Sequence, residues 1–171
     1  MKNIYILPLI LFIISCGENL IEEVKERYGG GELKIVEYYK KVGDNQKLVR
    51  KREYYENGQI KGEGNTKDGK EDGKWTLYYE NGQIWIEGNY KDGEKNGKWT
   101  SYNENGQMML EGNTKDGKED GKWTSYNEDG SIKEVEEYKD GKKDGKWIWY
   151  YENRRIKFEN NYKDGILNGK M

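Results

Sequence analysis

The chain has 171 residues, of which 36% are charged and 33% hydrophobic, and its formal net charge is −2. That balance excludes a general attraction to nucleic acid or to anionic lipid head groups. With no histidine and a single cysteine, the chain can form no internal disulfide and lacks the usual catalytic bases. The composition leans toward disorder, but 13% aromatic residues in a strict repeat favour a thin folded sheet.

The chain begins with a segment that is typical of export. Lys2 precedes an apolar run, residues 4–14, which is too short to span a bilayer as a helix. Residues 1–15 are therefore predicted to be a signal peptide, and the sequence Ile13-Ile14-Ser15-Cys16 resembles a bacterial lipobox. This resemblance implies that Cys16 becomes the lipidated first residue of the mature chain. The alternative is an ordinary signal peptide with an incidental cysteine.

Two short segments separate the signal from the repeats. Residues 16–30 are predicted to be a tether, whose weak helical spacing ends at three consecutive glycines, residues 29–31. Residues 31–50 look like a degenerate leading repeat, which is expected to cap the open end of an array.

From residue 51 to residue 171 the sequence repeats every 24 residues. Four copies open with a tryptophan, at positions 75, 99, 123 and 147, and Lys51 takes that place in the first copy. The five copies are residues 51–74, 75–98, 99–122, 123–146 and 147–170. A fixed period of this length indicates an array of small supersecondary units rather than one closed domain.

Each copy is predicted to be a β-hairpin. Asn81-Gly82 lies between apolar strands, which favours a type I′ turn with positive φ at both residues. A two-residue loop would pair Trp75 with Gly88, Leu77 with Ile86 and Tyr79 with Ile84. The expected fold is all-β, an elongated single-layer antiparallel sheet of tandem 24-residue hairpins that follows the signal peptide and the short tether.

Strand alternation places two aromatic columns on opposite faces of this sheet. The tryptophans and their facing glycines are predicted to form a structural ladder: Trp75, Trp99, Trp123, Trp147, Gly88 and Gly112. The other face carries a candidate binding surface: Tyr54, Tyr78, Trp85, Tyr102, Tyr126 and Tyr150. Aromatic rings there could stack on sugar rings or peptide side chains, although a second structural ladder is the alternative. The pattern reverses at Glu134-Val135-Glu136, which suggests a bulge or slip.

The repeat resembles the MORN repeat in its bacterial variant form. The likeness rests on Tyr-Tyr-Glu-Asn-Gly-Gln-Ile followed by Glu-Gly-Asn-Tyr-Lys-Asp-Gly, as in residues 78–93, and it covers about residues 51–170. It implies tandem hairpins in one elongated sheet and a scaffold or binding role, and some bacterial members are antitoxin-like. The sequence departs from the pattern at Lys51, Asn103 and Asn127. A weaker likeness is to the choline-binding repeats of cell-wall proteins.

The residue inventory argues against catalysis. Ser101, Ser125 and Ser131 have no base to activate them, and the carboxylates recur by symmetry in turns. We therefore expect no enzyme activity, no cofactor and no small-molecule substrate. Three Asp pairs flank glycine-containing loops: Asp68 and Asp72, Asp116 and Asp120, Asp140 and Asp144. Calcium binding is one interpretation of these pairs, but turn chemistry is favoured and no metal site is predicted.

The sequence thus predicts a non-catalytic binding or scaffold module, exported and lipid-anchored to the cell envelope. Its expected partners are the membrane, through the lipid, and a protein or an envelope component. One alternative is an antitoxin or immunity-type protein that neutralises a toxin. A lesser alternative is the binding of cell-wall glycan or choline by the aromatic repeats. No nucleic acid is expected as a partner.

Overall fold

A computed structural model of the chain describes residues 10–15 and 18–169, and its strands form one antiparallel sheet. The strands are β1 (Ile10–Ser15), β2 (Glu18–Arg27), β3 (Leu33–Val42), β4 (Asn45–Tyr54), β5 (Ile60–Lys67), β6 (Lys70–Tyr78), β7 (Ile84–Lys91), β8 (Glu94–Lys95), β9 (Gly97–Tyr102), β10 (Met108–Lys115), β11 (Lys118–Glu119), β12 (Gly121–Tyr126), β13 (Ile132–Lys139), β14 (Lys142–Tyr150), β15 (Ile156–Lys163) and β16 (Ile166–Leu167). Each strand lies beside its neighbour in sequence, except that the short strands β8 and β11 pair only with β7 and β10. The predicted single-layer sheet of tandem hairpins is confirmed.

Two kinds of turn alternate along the sheet, a three-residue loop at Asn-Gly and a two-residue turn at Asp-Gly. At the Asn-Gly turn the Gly82 N–H donates to the Tyr79 carbonyl and the Tyr79 N–H donates to Gln83, so the loop has three residues. Only Gly82 in that loop has positive φ, at 83°. The predicted type I′ turn is therefore wrong at this place. It forms at Asp92-Gly93, where φ is 53° and 89°, and the same geometry recurs at Asp68-Gly69, Asp116-Gly117, Asp140-Gly141 and Asp164-Gly165.

A β-bulge follows each three-residue loop and restores the strand register. Trp75 faces Gly88 and Leu77 faces Ile86, as predicted. Tyr78, however, faces Ile84, so the predicted pairing of Tyr79 with Ile84 is wrong. Trp85 is the extra residue of the bulge, which sets its side chain apart from the regular alternation.

The face that carries Tyr78, here called the Tyr face, has a central row of side chains that crosses the strands. By register the row consists of Val24, Val36, Arg52, Glu63, Thr76, Glu87, Thr100, Glu111, Thr124, Val135, Ile148 and Glu159. Its threonines are buried, with 6–7% of their surface exposed, and so are two of its three valines, Val36 and Val135, at 0% and 8%. Burial in this thin sheet is thus concentrated along its midline.

The opposite face, here called the Trp face, carries the predicted tryptophan ladder. Three of the four ladder indoles lie over a glycine of the preceding hairpin, since a Cβ added at Gly64, Gly88 or Gly112 would collide with Trp75, Trp99 or Trp123, respectively. Trp147 is the exception, because Glu136 faces it instead. The expectation that each tryptophan covers the glycine of its own hairpin is corrected in this respect. Tyr90 fills the space between successive indoles, with ring centroids 6.0 Å from Trp75 and 5.2 Å from Trp99.

The sheet begins earlier than the repeats. Glu18–Arg27, within the residues suggested as a tether with weak helical spacing, is instead the strand β2. Val24 of this strand faces Val36, the most deeply buried side chain, which explains why the segment joins the sheet. The leading repeat of residues 31–50 contributes β3 and most of β4. Ile10–Ser15 pairs with β2, and Cys16 lies outside the described residues.

Candidate functional site

Three of the five tyrosines of the candidate binding surface donate hydrogen bonds to carboxylates of the central row. The Tyr102 hydroxyl donates to Glu87 at 3.0 Å, and the Tyr126 hydroxyl donates to Glu111 at 2.7 Å. Tyr78 reaches Glu63 in the same way at 3.2 Å. These hydroxyls are therefore already bound within the sheet. The Tyr column acts at least in part as a second ladder that ties one repeat to the next.

Lysines complete this network on the Tyr face. Lys74 lies 2.7 Å from Glu87, and Lys98 lies 2.7 Å from Glu111. The lysine and tyrosine donors lower the pKa of both carboxyls, with the lysine as the larger cause. In return, the hydrogen bond to Glu111 raises the pKa of Tyr126 to about 12. The network is a repeated Lys–Glu–Tyr unit with opposite charges in contact.

A further tyrosine ladder was missed in the sequence. Three tyrosine hydroxyls donate across a repeat to a backbone carbonyl: Tyr28 to Tyr54 at 2.8 Å, Tyr55 to Tyr78 at 2.7 Å, and Tyr79 to Tyr102 at 2.8 Å. Tyr55 and Tyr79 are the second members of Tyr-Tyr pairs, whereas Tyr28 follows an arginine. The signal that could have found it is the doubled tyrosine, replaced by Asn103 and Asn127 in two copies. There the asparagines bond within their own turns instead.

Trp85 differs from the other residues of the candidate surface. Its side chain is 44% exposed, and its ring lies 6.0 Å from that of Tyr79 rather than in the carboxylate network. Met109 holds the equivalent bulge position one repeat later and is 47% exposed. The remaining copies carry lysine at this position: Lys34, Lys61, Lys133 and Lys157. Two adjacent repeats thus replace a charged side chain with a large apolar one.

The reversed pattern of the fourth repeat leaves the backbone register unchanged. Trp123 faces Glu136 and Thr124 faces Val135, as Trp99 faces Gly112 one repeat earlier. The predicted bulge or slip at Glu134-Val135-Glu136 is therefore wrong. The bulge that this hairpin does contain lies at Lys133, where every copy has one.

Two carboxyls consequently lie on the Trp face of the fourth repeat. Burial, together with a hydrogen bond and charge from Glu134, raises the pKa of Glu136 to about 7. One carboxyl oxygen of Glu134 is buried without a hydrogen-bond partner among the described residues. Lys143 lies 3.5 Å from the centre of the Trp147 ring, whose neighbours include Tyr138 at 5.6 Å. This is the one segment of the described ladder where two acids lie between tryptophans.

The described part of the chain contains a cavity but no cluster of metal ligands. Residues 10–15 and 18–169 contain no cluster of three or more His, Cys, Asp or Glu side chains placed to hold a metal. A cavity of about 160 Å³ lies between Trp99 and Trp123, but its walls are mostly apolar and include a single charged side chain, Lys95. In each of the loops that carry an Asp pair, the first aspartate lies in a turn and adopts positive φ: Asp68, Asp116 and Asp140. No described helix has the length and hydropathy needed to cross a membrane.

A ribbon of tandem hairpins with two ordered faces belongs to the class of repeat proteins. The sequence profile described as MORN repeat variant matches residues 50–68, 71–92, 95–116, 119–140 and 143–164, which is more than half of the chain. The chain belongs to this family, whose repeats are generally binding or scaffold modules. The predicted resemblance to the MORN repeat variant is confirmed.

Other comparisons add little. No curated protein matches the chain. Among solved structures it is similar to the crystal structure of the GtfA/B complex bound to UDP and GlcNAc, at 12% identity and a TM-score of 0.23. The match covers 75% of this chain and only 22% of that one, and a likeness at this TM-score carries no argument.

Proposed function

We propose that this chain is a non-catalytic binding module, held at a membrane surface of the cell envelope by lipid on Cys16, which binds a protein partner. The observation that carries the proposal is the exposed pair Trp85 and Met109, here called the Trp85–Met109 patch, at 44% and 47% exposure. Successive repeats are two strands apart, so the two side chains lie about 10 Å from each other. Their spacing suits a single contact region.

The chemistry of the patch favours a protein as the partner. Tryptophan is enriched at the energetic centre of protein interfaces, and methionine adapts its shape to the surface that it meets. The equivalent positions on either side are Lys61 and Lys133, which supply a basic rim. A partner with an apolar projection and acidic residues around it would complement this surface. The Tyr column is less suited, because three of its five hydroxyls, those of Tyr78, Tyr102 and Tyr126, already donate hydrogen bonds within the sheet.

Site-specific photo-crosslinking in cells tests the patch. A photoreactive residue at position 85 should give a defined protein adduct, and Met109→Lys in the same chain should abolish it. Four other copies carry lysine at this position, so the substitution is expected to leave the hairpin folded. The control is the photoreactive residue at position 42, since Val42 is similarly exposed at 49% but lies in β3. Equal adducts from both positions would contradict the proposal.

The identity of the adduct distinguishes the proposed scaffold from the antitoxin alternative. An adduct encoded by a neighbouring gene, whose deletion makes this chain dispensable, would favour an antitoxin or immunity role. An envelope protein with no such genetic relationship would favour the scaffold role.

Lipid anchoring has its own test. The Cys16 thiol follows Ile-Ile-Ser, and it is the one cysteine of the chain. Several acyl chains on one residue would give lasting attachment, because each buried methylene contributes about 0.8 kcal/mol. We expect radiolabelled palmitate to enter the wild-type chain and not the Cys16→Ala variant. Label that persists in the variant would refute lipidation at this residue.

A further inference from the structure

Tyrosine rings fill the space between indoles at several places in the tryptophan ladder. Tyr90 packs edge-on between Trp75 and Trp99, with interplanar angles of 75° and 88° to the two indoles. Later copies place the same residue type against an indole: Tyr138 and Tyr162. A tyrosine at this position of the repeat is thus a regular part of the ladder.

One place in the ladder lacks its ring. Thr114 holds the position of Tyr90 one repeat later, because each residue faces the glycine that stands two residues before the tryptophan of its hairpin. The threonine hydroxyl donates to the Gly97 carbonyl at 3.3 Å. The cavity of about 160 Å³ lies at this place, with Thr114, Trp99 and Trp123 among its walls. It is here called the ring slot.

The size and the walls of the ring slot suit one aromatic ring. An apolar cavity of about 150 Å³ stays dry and can hold a benzene molecule. The walls of the ring slot include Ile86, Leu110 and Ser101, and Ser101 stands where the preceding repeat has the larger Leu77. Successive indoles lie about 10 Å apart, so a ring between them can contact both. The slot therefore has the volume and the chemistry of a missing phenyl group.

We propose that the ring slot binds one aromatic side chain of a protein partner, a phenylalanine or tyrosine that occupies the space left open at Thr114. Its ring packs edge-to-face against Trp99 and Trp123, an arrangement that aromatic pairs favour. The walls of the slot include neither Trp85 nor Met109, so this proposal does not depend on the Trp85–Met109 patch.

The dimensions favour a ring on a partner's chain over a free small molecule. Sites for whole ligands usually enclose about 300–1,000 Å³ and carry several polar groups that fix orientation. The ring slot is smaller, half-open to solvent, and has a single charged wall residue, Lys95. The Lys95 ammonium lies 4.5 Å from the centre of the Trp99 ring, where an acidic residue beside the incoming aromatic one would complement it.

The position of Thr114 in the array makes the site specific. Thr66 is the other threonine at this position of the 24-residue repeat, but Lys51 stands there in place of the preceding tryptophan. Of these two threonines, Thr114 alone follows a hairpin with its own indole and precedes another. A ring next to Thr66 would meet an indole on one side only.

Binding of p-cresol, the side-chain analogue of tyrosine, to the full-length chain tests the site, with the Kd measured by ligand-observed NMR. Thr114→Tyr fills the slot with the chain's own ring, and we expect the Kd to rise at least about tenfold. Thr66→Tyr is the matched control and should leave the Kd within about twofold of the wild-type value. No binding to the wild-type chain, or an equal Kd for Thr114→Tyr, would overturn the proposal.

The converse substitution tests whether a missing ring is what creates the site. Tyr90→Thr removes the ring between Trp75 and Trp99, so the number of p-cresol molecules bound per chain should rise from one to two. This result does not require the Thr114→Tyr variant to fold. A number that stays at one would contradict the inference that an empty place in the ladder binds a ring.

Two further probes test the ligand class. The non-aromatic 4-methylcyclohexanol has a similar size, and we expect its Kd to be about fivefold higher than that of p-cresol. A short capped peptide with one tyrosine beside one glutamate should bind at least as tightly as p-cresol, and the same peptide with alanine for tyrosine should not bind. Equal affinity for the two small molecules would exclude selection of an aromatic ring. A tyrosine peptide that binds more than about tenfold more weakly than p-cresol would exclude a partner's side chain and indicate a free aromatic molecule.

Discussion

The third and fourth repeats have the same backbone register but place opposite chemistry on each face. In the third repeat, Glu111 lies in the central row of the Tyr face and Gly112 lies under a tryptophan on the Trp face. In the fourth repeat, Val135 takes the place of Glu111 and Glu136 takes the place of Gly112. The Tyr face thereby loses a charged hydrogen-bond acceptor, and the Trp face gains an acid.

The comparison teaches that turns and bulges set the register of this ribbon more strongly than side-chain alternation does. Both repeats keep the three-residue loop, the bulge and the Asp-Gly turn. A slip of one residue would have returned Val135 to the Trp face, but it would have broken the pairing of both neighbouring strands. The side chains therefore adapt to a fixed backbone, and Val135 becomes buried on the Tyr face at 8% exposure.

The largest effect is expected from giving the third repeat the acid of the fourth. A Cβ at position 112 would collide with the Trp123 indole, so Gly112→Glu should lower the free energy of unfolding by about 3 kcal/mol in urea denaturation. Gly29→Ala is the control, because no atom lies within 4 Å of the added carbon there, and it should change stability by less than about 0.5 kcal/mol. A small change in the free energy of unfolding for Gly112→Glu would show that the tryptophan ladder can accommodate a side chain at this position. The difference between Gly112 and Glu136 would then not matter for the stability of the two repeats.

The second prediction concerns pH and the fourth repeat. The Glu136 pKa of about 7 lies above its ordinary value of 4.5, so the folded chain holds more protons than the unfolded chain between these values. Stability should therefore fall as pH rises from 5 to 8, by about 1 kcal/mol because water reaches part of the carboxyl. Glu136→Gln should flatten this slope in urea unfolding across that range.

The neighbouring charges give this prediction its control. Glu134, Tyr138 and Lys143 are the titratable side chains around Glu136, and Lys143 opposes the shift. Glu87 and Glu111 have lowered pKa values, so their contribution is lost only as pH falls below about 4.5. Glu111→Gln should therefore leave the slope between pH 5 and pH 8 unchanged. A slope that persists in Glu136→Gln would assign it to another group.

Four features of the fold could be predicted from the sequence: the period, the hairpins, the pairing of Trp75 with Gly88 and the separation of two aromatic faces. Three other features could not be predicted from the sequence, for physical reasons. Asn-Gly is compatible with both a type I′ turn and a glycine bulge, and the choice depends on the strands that follow. The crossing of three indoles to the glycine of the preceding hairpin depends on side-chain direction, which pairing alone does not specify. The carboxylate partners of the tyrosines lie one repeat away, so they appear only once strands from different repeats are aligned.

The third prediction gives the third repeat the valine of the fourth. Glu111→Val removes a hydrogen bond from Tyr126 and an ion pair with Lys98, so stability at pH 7 should fall by about 1 kcal/mol. The pKa of Tyr126, now about 12, should return toward 10, because the hydrogen bond to Glu111 is its main cause. Ultraviolet titration of the phenols would detect one tyrosine that ionises earlier. An unchanged titration would mean that the carboxylate does not hold this hydroxyl.

The smallest effect is expected where the second tyrosine ladder is interrupted. Asn103 occupies the position of Tyr79, whose hydroxyl donates across the repeat to the Tyr102 carbonyl at 2.8 Å. Asn103→Tyr should extend the ladder to the Tyr126 carbonyl and raise the free energy of unfolding by about 0.5 kcal/mol, since the asparagine bonds to Asn105 and Gln107 are lost in exchange. Asn103→Phe is the matched control, because it supplies the ring without the hydroxyl. Equal stabilisation by both substitutions would attribute the gain to ring packing, and the third and fourth repeats would then differ from the second in burial rather than in hydrogen bonding.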